Sequence, residues 1–258
     1  MIEKNFAYWA EMKWPELQTA DSRKSILIIP VGSVEQHGPH LPLLTDTLIP
    51  QEIIKRLTGR IKANLIMGIP ISITYAPESE IYPGTISLSG ATLSLFVRDM
   101  LVSYMRHPFS LVVLLNGHME SYQFILEGMR LAAQQDLQSQ TVMLINWWDL
   151  VSEQTIKMVL KDDWPGWEAE HAARVETSMA LYLFPDLVNR EHIPHQERFV
   201  RGPFRIYPLD PEDKPASGSF ANAQGSSDDI GEEIVEEIIQ RLASIIEGNP
   251  LSRKTQRE

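Results

Sequence analysis

Runs of β-branched and aliphatic residues alternate along the chain with segments in which apolar residues return every three or four positions. Ser25 to Val31 (SILIIPV) reads as a buried strand, and Leu48 to Ile61 as the helix that follows it. Further strands are predicted at Asn64 to Ile73, Ser110 to Leu115 and Thr141 to Asn146, with helices at Ala91 to His107 and Met119 to Gln135. This succession predicts an α/β fold with a mostly parallel sheet covered on both faces. Ligands of such sheets bind beyond the carboxyl ends of the strands, so the loops after Val31 and Leu115 are where chemistry is expected.

The pattern changes in the second half. Trp164 to Phe184 predicts a loop entering a helix at about Glu168, closed by Pro185. Residues 186–226 hold Pro194, Pro203, Pro208, Pro211, Pro215 and Ser217-Gly218-Ser219, which suits an ordered excursion over the surface or across a neighbouring subunit. The last helix is capped by Ser227 and lines up Ile230, Ile234, Ile238, Leu242 and Ile245. With no internal repeat, one domain over residues 1–258 is expected.

Composition narrows the function. A chain of 258 residues with 43% hydrophobic content can bury one sizeable core. The net charge of -11 disfavours attraction to phosphate backbones, and no run of Lys and Arg interleaved with aromatics offsets it, so nucleic acid is excluded as a partner. The acidic pairs Asp228-Asp229, Glu232-Glu233 and Glu236-Glu237 read as a solvated helix face. The start Met1-Ile2-Glu3-Lys4-Asn5 lacks a signal-peptide pattern, and no long apolar run is free of charges; a soluble cytoplasmic protein without a membrane partner is expected. The absence of cysteine removes disulfides, thiolate ligands and a cysteine nucleophile. Any metal must therefore sit on His, Asp and Glu.

Three constellations carry candidate chemistry. The segment Gly32 to Asp46 (GSVEQHGPHLPLLTD) brings Glu35, His37 and Asp46 into one loop after the first strand, with Glu35 and His37 on the same side if the loop is extended. Taken singly, a carboxylate at a helix start is more simply a cap and a loop histidine a surface residue; their conjunction is what points to a metal. Asn116-Gly117-His118-Met119-Glu120 adds an imidazole and a carboxylate at a second strand end. Two histidines and three carboxylates suit Zn²⁺, Mn²⁺ or Mg²⁺, and with one carboxylate shared they can hold two ions that activate water and polarise a carbonyl.

The third constellation is Trp164 to His171 (WPGWEAEH), followed by Val175-Glu176-Thr177-Ser178. His171, near a helix start whose dipole lowers its pKa, is placed to exchange a proton with a leaving amine. Glu170 is a second group that can point into the site, and Trp148 and Trp167 can cover a small planar ligand by stacking. Glu176 reads as a structural hydrogen-bond partner and His40 as support behind the ligands. His107, His192 and His195 read as surface residues.

Together the string 32–42 (GSVEQHGPHLP), Asp46, Pro83-Gly84-Thr85-Ile86-Ser87-Leu88, Asn116 to Glu120, and Glu170-His171 with Glu176-Thr177-Ser178 resemble the creatininase family. The resemblance runs from about residue 25 to the end. It implies a three-layer α/β/α sandwich assembled as a homohexamer, with two divalent ions per chain, Zn²⁺ and/or Mn²⁺. One ion would take Glu35, Asp46 and His118, the other His37, Asp46 and Glu120. In the family's reaction water attacks the lactam carbonyl of creatinine to give creatine, with His171 assisting ring opening and Glu120 a base.

Two features depart from the family pattern. Met119 stands where an aromatic is expected among the substrate-facing residues, and the loop Tyr75 to Tyr82 (YAPESEIY) is shorter and more acidic than the glycine-rich loop associated with creatinine. Creatinine is thus one expectation among small rings. A keto-inositol ring, a formamidopyrimidine or a catalytically silent homologue are the alternatives.

Overall fold

The structure, a computed structural model, describes residues 5–19, 25–107, 109–135, 140–199, 210, 212 and 214–248. Its sheet is formed by β1 (Phe6–Tyr8), β2 (Ser25–Val31), β3 (Asn64–Met67), β4 (Leu111–Asn116) and β5 (Val142–Asn146). All neighbours are parallel, in the order β1-β3-β2-β4-β5. The helices are α1 (Trp14–Thr19), α2 (Thr45–Leu57), α3 (Gly90–Tyr104), α4 (Tyr122–Ala133), α5 (Glu153–Leu160), α6 (Arg174–Leu183) and α7 (Asp228–Glu247).

Every residue of β2 and β4 is buried. Alternate residues serve opposite faces, the period-two rule of a strand. Ile26, Ile28, Leu111, Val113 and Leu115 join the core under α2, α6 and α7, whereas Leu27, Ile29, Val31, Val112 and Leu114 join the core under α3 and α4. The result is the three-layer α/β/α sandwich expected from the sequence. Pro30 is tolerated in a central strand because β3 has already ended at Met67; the Pro30 carbonyl instead accepts from Ile71 N, 2.9 Å away, in the following loop.

Several boundaries differ from the sequence pattern. β1 is an edge strand of only three residues, too short to show a period. The third strand stops at Met67, because Gly68-Ile69-Pro70 breaks the ladder, and the chain rejoins β2 only through a bridge from Ile71 to Val31. The helix expected from about Glu168 begins at Arg174. Before it come a 3₁₀ turn, Trp167–Ala169, and Ala172 at a φ of 50°, a left-handed conformation that interrupts any continuous helix. α5, started by Ser152 accepting from Thr155 N, has no counterpart among the predicted elements.

Ser227 does cap α7, its Oγ accepting from Ile230 N at 3.2 Å. The helix buries Ile234, Val235, Ile238, Ile239, Leu242 and Ile246 against α2 and α6, with Ile230 and Ile245 half-buried beside them. Of the proline-rich excursion, Pro203, Pro208 and Pro211 lie outside the described residues, while Ser219 to Ala221 are buried. No helix among the described residues is long and apolar enough to cross a membrane.

At the α6–α7 contact a Cβ on Gly231 would lie 2.1 Å from the Ser178 carbonyl oxygen. Gly231→Ala is therefore expected to push the helices apart and to destabilise the fold by about 2 kcal/mol, the middle of the range for overpacking. Thermal unfolding of the variant beside the wild type measures this directly. An unchanged Tm would mean that the contact yields without cost.

Candidate metal centre and cavity

Pairing of β2 with β4 ends with Val31 opposite Asn116, so the two loops that follow leave the sheet side by side. α2 runs back against both. A Cβ on Gly32 would lie 2.4 Å from the Asp46 carbonyl, and one on Gly117 would lie 2.2 Å from the Asp46 carbonyl oxygen. Only bare backbone at these two positions lets the first turn of α2 fit between the loops. Asp46 is thereby placed between them.

Its carboxylate is the centre of the cluster. Oδ1 lies 2.9 Å from His37 Nε2, and Oδ2 lies 2.8 Å from His118 Nδ1 and accepts from Ser33 Oγ at 2.8 Å. Glu35 Oε2 approaches the same His118 Nδ1 at 3.0 Å, while Glu35 Oε1 accepts from Ser79 Oγ. Both imidazoles turn their other nitrogen to a backbone carbonyl: His37 Nδ1 to Glu35 O at 3.0 Å and His118 Nε2 to Tyr75 O at 2.9 Å. A carbonyl can only accept, so those nitrogens carry the N–H. The lone pairs of His37 Nε2 and His118 Nδ1 are left for a cation among the carboxylates, the usual outer support of a metal-binding histidine.

Among the described residues, two donor groups meet the spacing of a metal site, each with its atoms within 4.8 Å: Glu35, Asp46 and His118, and His37, His171 and Glu176. All are buried or nearly so. Such hard and borderline donors fit divalent ions of the Zn²⁺ or Mn²⁺ kind. The first group coincides with the set expected for one ion. The second keeps His37 but gathers Glu176, whose Oε2 is 3.8 Å from His37 Nε2, while Glu120 lies outside both groups with Oε2 3.9 Å from His118 Nε2.

Electrostatics follow from burial opposed by pairing. Burial works against ionisation of Asp46, yet His37 and His118 hold it well below the carboxylate range. Burial likewise raises Glu35, but His118 pulls it down to about 2. His37, which burial alone would lower, is pushed up to about 10 by Asp46 and then Glu176, and His118 rises well above its usual value beside Glu35 and Asp46. Where pairing is weaker, burial wins. It moves His171 down to about 4, Glu170 up to about 7 and Glu176 up to about 8.

Above this floor lies a cavity of about 330 Å³. Met119, Glu120, Trp148, Trp167, Glu170 and His171, all singled out in the sequence, line it. His171 precedes α6 by three residues, and desolvation by burial is the largest cause of its lowered pKa. Its Nε2 is 3.0 Å from Gln36 O and 2.9 Å from Gln36 Nε2, and its ring lies 4.5 Å from that of His37. Glu170 Oε1 accepts from Val175 N and Glu176 N, tying down the first turn of α6, and Oε2 has no hydrogen-bond partner among the described residues.

Other residues took roles that the sequence reading had not given them. Glu176 is a structural acceptor, as expected, taking Ala172 N at 2.7 Å, but it also faces His37. Trp147 packs edge-on between Trp148 and Trp167, at 5.7 and 5.6 Å, and also lines the cavity. The WWD string of residues 147–149 was its only signal. Glu78, Gln123 and Phe220 reach the cavity from loops and a helix with no motif to mark them. His40 supports the site from behind through Thr177 Oγ1 at 2.8 Å; His192 and His195 are exposed, whereas His107 is half-buried against Trp9.

Comparison with known proteins agrees with this geometry. The creatininase (creatinine amidohydrolase) family profile matches residues 10–246. The creatinine amidohydrolase of Pseudomonas putida is 34% identical over 245 residues, 92% of this chain and 94% of that protein. The 3-dehydro-scyllo-inosose hydrolase of Thermotoga maritima is 25% identical over 187 residues, 71% of this chain and 58% of that one. Solved creatininase structures, among them a Zn–Zn form and an Mn form, superpose with a TM-score of 0.86 at 32% identity, covering 94% of this chain and 98% of theirs. With the family profile spanning residues 10–246 and a 34% identical relative matched over 92% of the chain, the chain belongs to the creatininase family of hydrolases.

Proposed function

We propose that this hydrolase uses two divalent ions to open a small cyclic amide, with creatinine and water giving creatine as the leading candidate. The observation that carries the reading is Asp46, whose two oxygens face His37 Nε2 at 2.9 Å and His118 Nδ1 at 2.8 Å, the arrangement of a bridging carboxylate. Glu35, Asp46 and His118 would hold one ion. His37 and Asp46 would hold the other, completed by Glu120, as the family resemblance implies, or by Glu176, 3.8 Å from His37 Nε2. When bound, such ions polarise a carbonyl and make water a nucleophile at neutral pH.

The chain's own groups do the rest. Glu120 takes a proton from the attacking water, and His171, neutral at the cavity wall, relays that proton to the leaving nitrogen. Trp148 and Trp167 flank a flat ring, and Glu170 Oε2 offers an acceptor to a ring N–H. Met119 contributes surface without a hydrogen-bond donor. A second reading, hydrolysis of a keto-inositol-type ring on the same residues, is favoured by Glu78 in the cavity wall, an acceptor for hydroxyl groups. The reading is completed by one catalytic domain in the cytoplasm, acting on a small molecule with no nucleic-acid or membrane partner. A homohexamer has surface to form on: Ile86, Leu95, Phe96, Tyr122 and Leu126 are exposed apolar residues.

Elemental analysis of purified protein is expected to give two ions per chain, with turnover in a panel of creatinine, formamides and inositol-derived rings. Two ions without turnover of any of them would favour a silent homologue; no ions would remove the dinuclear reading. Light scattering is expected at six times the 29.4 kDa chain mass. Glu120→Gln should cut kcat by several orders of magnitude, and near-normal activity would remove Glu120 from the mechanism. His171→Ala should keep both ions and lose about 10³-fold in kcat, the scale of one positioned acid or base. Loss of an ion from that variant would make His171 a ligand.

Stability should depend on pH only when the ions are removed. His37 rises from 6.5 to about 10 on folding, so its contribution is whole below pH 6.5 and lost as pH climbs through 10. Glu176 and Glu170, raised to about 8 and about 7, lose theirs in the same direction as pH rises above 4.5. The Tm of chelator-treated protein is therefore expected to fall steadily from pH 6.5 to 10, while the ion-loaded form, with a cation in the proton's place, stays nearly flat. Parallel curves for the two forms would contradict this assignment of charges.

A further inference from the structure

One strongly paired charge in the cavity wall takes no part in the proton transfers above. Glu78, in the loop after β3, lines the cavity, and its Oε2 lies 2.9 Å from Lys214 Nζ. The partners are 136 positions apart in sequence, and both side chains are at least nine-tenths buried, with 10% and 6% exposed. Lys214 Nζ also sits 5.4 Å from the ring centre of Phe199 and 5.3 Å from that of Phe220. Two aromatic faces and one carboxylate leave this ammonium little room to move.

What Lys214 joins is specific. On one side is the loop 75–82, which supplies Tyr75, Glu78 and Ser79 to the cavity. On the other is the excursion, whose Phe220 also lines the cavity. Phe220 N donates to His171 O at 3.0 Å, and its ring lies 4.7 Å from the His171 ring. Phe199 N donates to Phe220 O at 2.7 Å. Nearby, Tyr82 Oη donates to Pro215 O at 2.7 Å and Gln36 Nε2 to Gly218 O at 2.9 Å. The ion pair is the charged fastening among these contacts. A buried pair is costly to break from one side, since the remaining charge is left without its partner.

From this geometry we infer that Lys214 is a positioning residue: through Glu78 and Phe220 it holds the excursion against the 75–82 loop and so sets the width of the cavity for the substrate. The effect on substrate rests on the hydrolase reading above; the fastening itself does not. Lys214 and Glu78 belong to neither donor group and meet the metal floor through neighbours, Ser79 at Glu35 and Phe220 at His171. Loss of the pair is therefore expected to act on substrate fit while the donor groups keep their ions.

The test uses the full-length, ion-loaded protein and the variants Lys214→Met, Lys214→Arg, Glu78→Gln and the double variant Lys214→Met with Glu78→Gln, which leaves no lone buried charge and so guards against simple unfolding. Hydrogen exchange at Phe199 and Phe220 is expected to quicken in Lys214→Met, with β2 and β4 unchanged and Lys214→Arg close to wild type. Acrylamide should quench tryptophan fluorescence more steeply in the same variant, since three of the six tryptophans line the cavity. On creatinine, or whichever panel ring is turned over, KM should rise about tenfold at nearly constant kcat and two ions per chain, the mark of lost binding rather than lost chemistry. The double variant should be no worse than either single one. Unchanged exchange and quenching would overturn the fastening. Quickened exchange with an unaltered KM would overturn its role in fitting the substrate. A wild type that turns over nothing refutes the functional reading alone, and exchange and quenching still decide whether Lys214 holds the wall.

Discussion

The burial of one carboxylate, Asp46, is the constraint on which the rest of this structure depends. It is 3% exposed, at the start of a helix, between two loops that leave adjacent strands. An isolated carboxylate in such a place would cost several kcal/mol or would take up a proton. Here it is held ionised by imidazoles on both sides and by Ser33, and each imidazole is itself aimed by a backbone carbonyl. Satisfying that set requires β2 and β4 to be neighbours in register and two glycines to let α2 approach. Fold and site are thus one problem with one solution.

The surrounding layers serve this arrangement. α2 is pressed onto the sheet by α7, whose apolar face fills the space between α2 and α6. α6 in turn brings Glu176 to His37 and Thr177 to His40. The left-handed turn at Ala172 is what permits this, because a helix continuing from Glu168 through His171 would carry those side chains round to other faces. Glu176 steadies the turn by accepting from Ala172 N, and Glu170 does the same for the first turn of α6. Side chains that face the cavity are also the ones that shape its backbone.

Floor and wall of the cavity follow different rules. The floor is built from strand ends and a helix start, which the sheet fixes rigidly. The wall comes from the 75–82 loop, from Met119 and from the excursion carrying Phe220, where insertions and exchanges leave the sheet untouched. A hydrolase of this construction can keep its donor groups while changing what it admits. The relation to both a creatinine amidohydrolase and a 3-dehydro-scyllo-inosose hydrolase is consistent with such a division.

The sequence by itself determined the central strands, the helices packed on them and most of the candidate donors. Strand burial writes a continuous apolar run, helix packing writes a 3.6-residue period, and Glu35, His37, Asp46 and His118 sit at the ends of elements so marked. The edge strand at Phe6 and the short α5 escaped, since three and eight residues hold too little periodicity. Tertiary structure alone decided that Glu176 faces His37, that burial desolvates His171 and lowers its pKa, and that Lys214 meets Glu78 across 136 positions. Each of these depends on distance through space and on exclusion of water, and neither quantity is written in the order of residues along the chain.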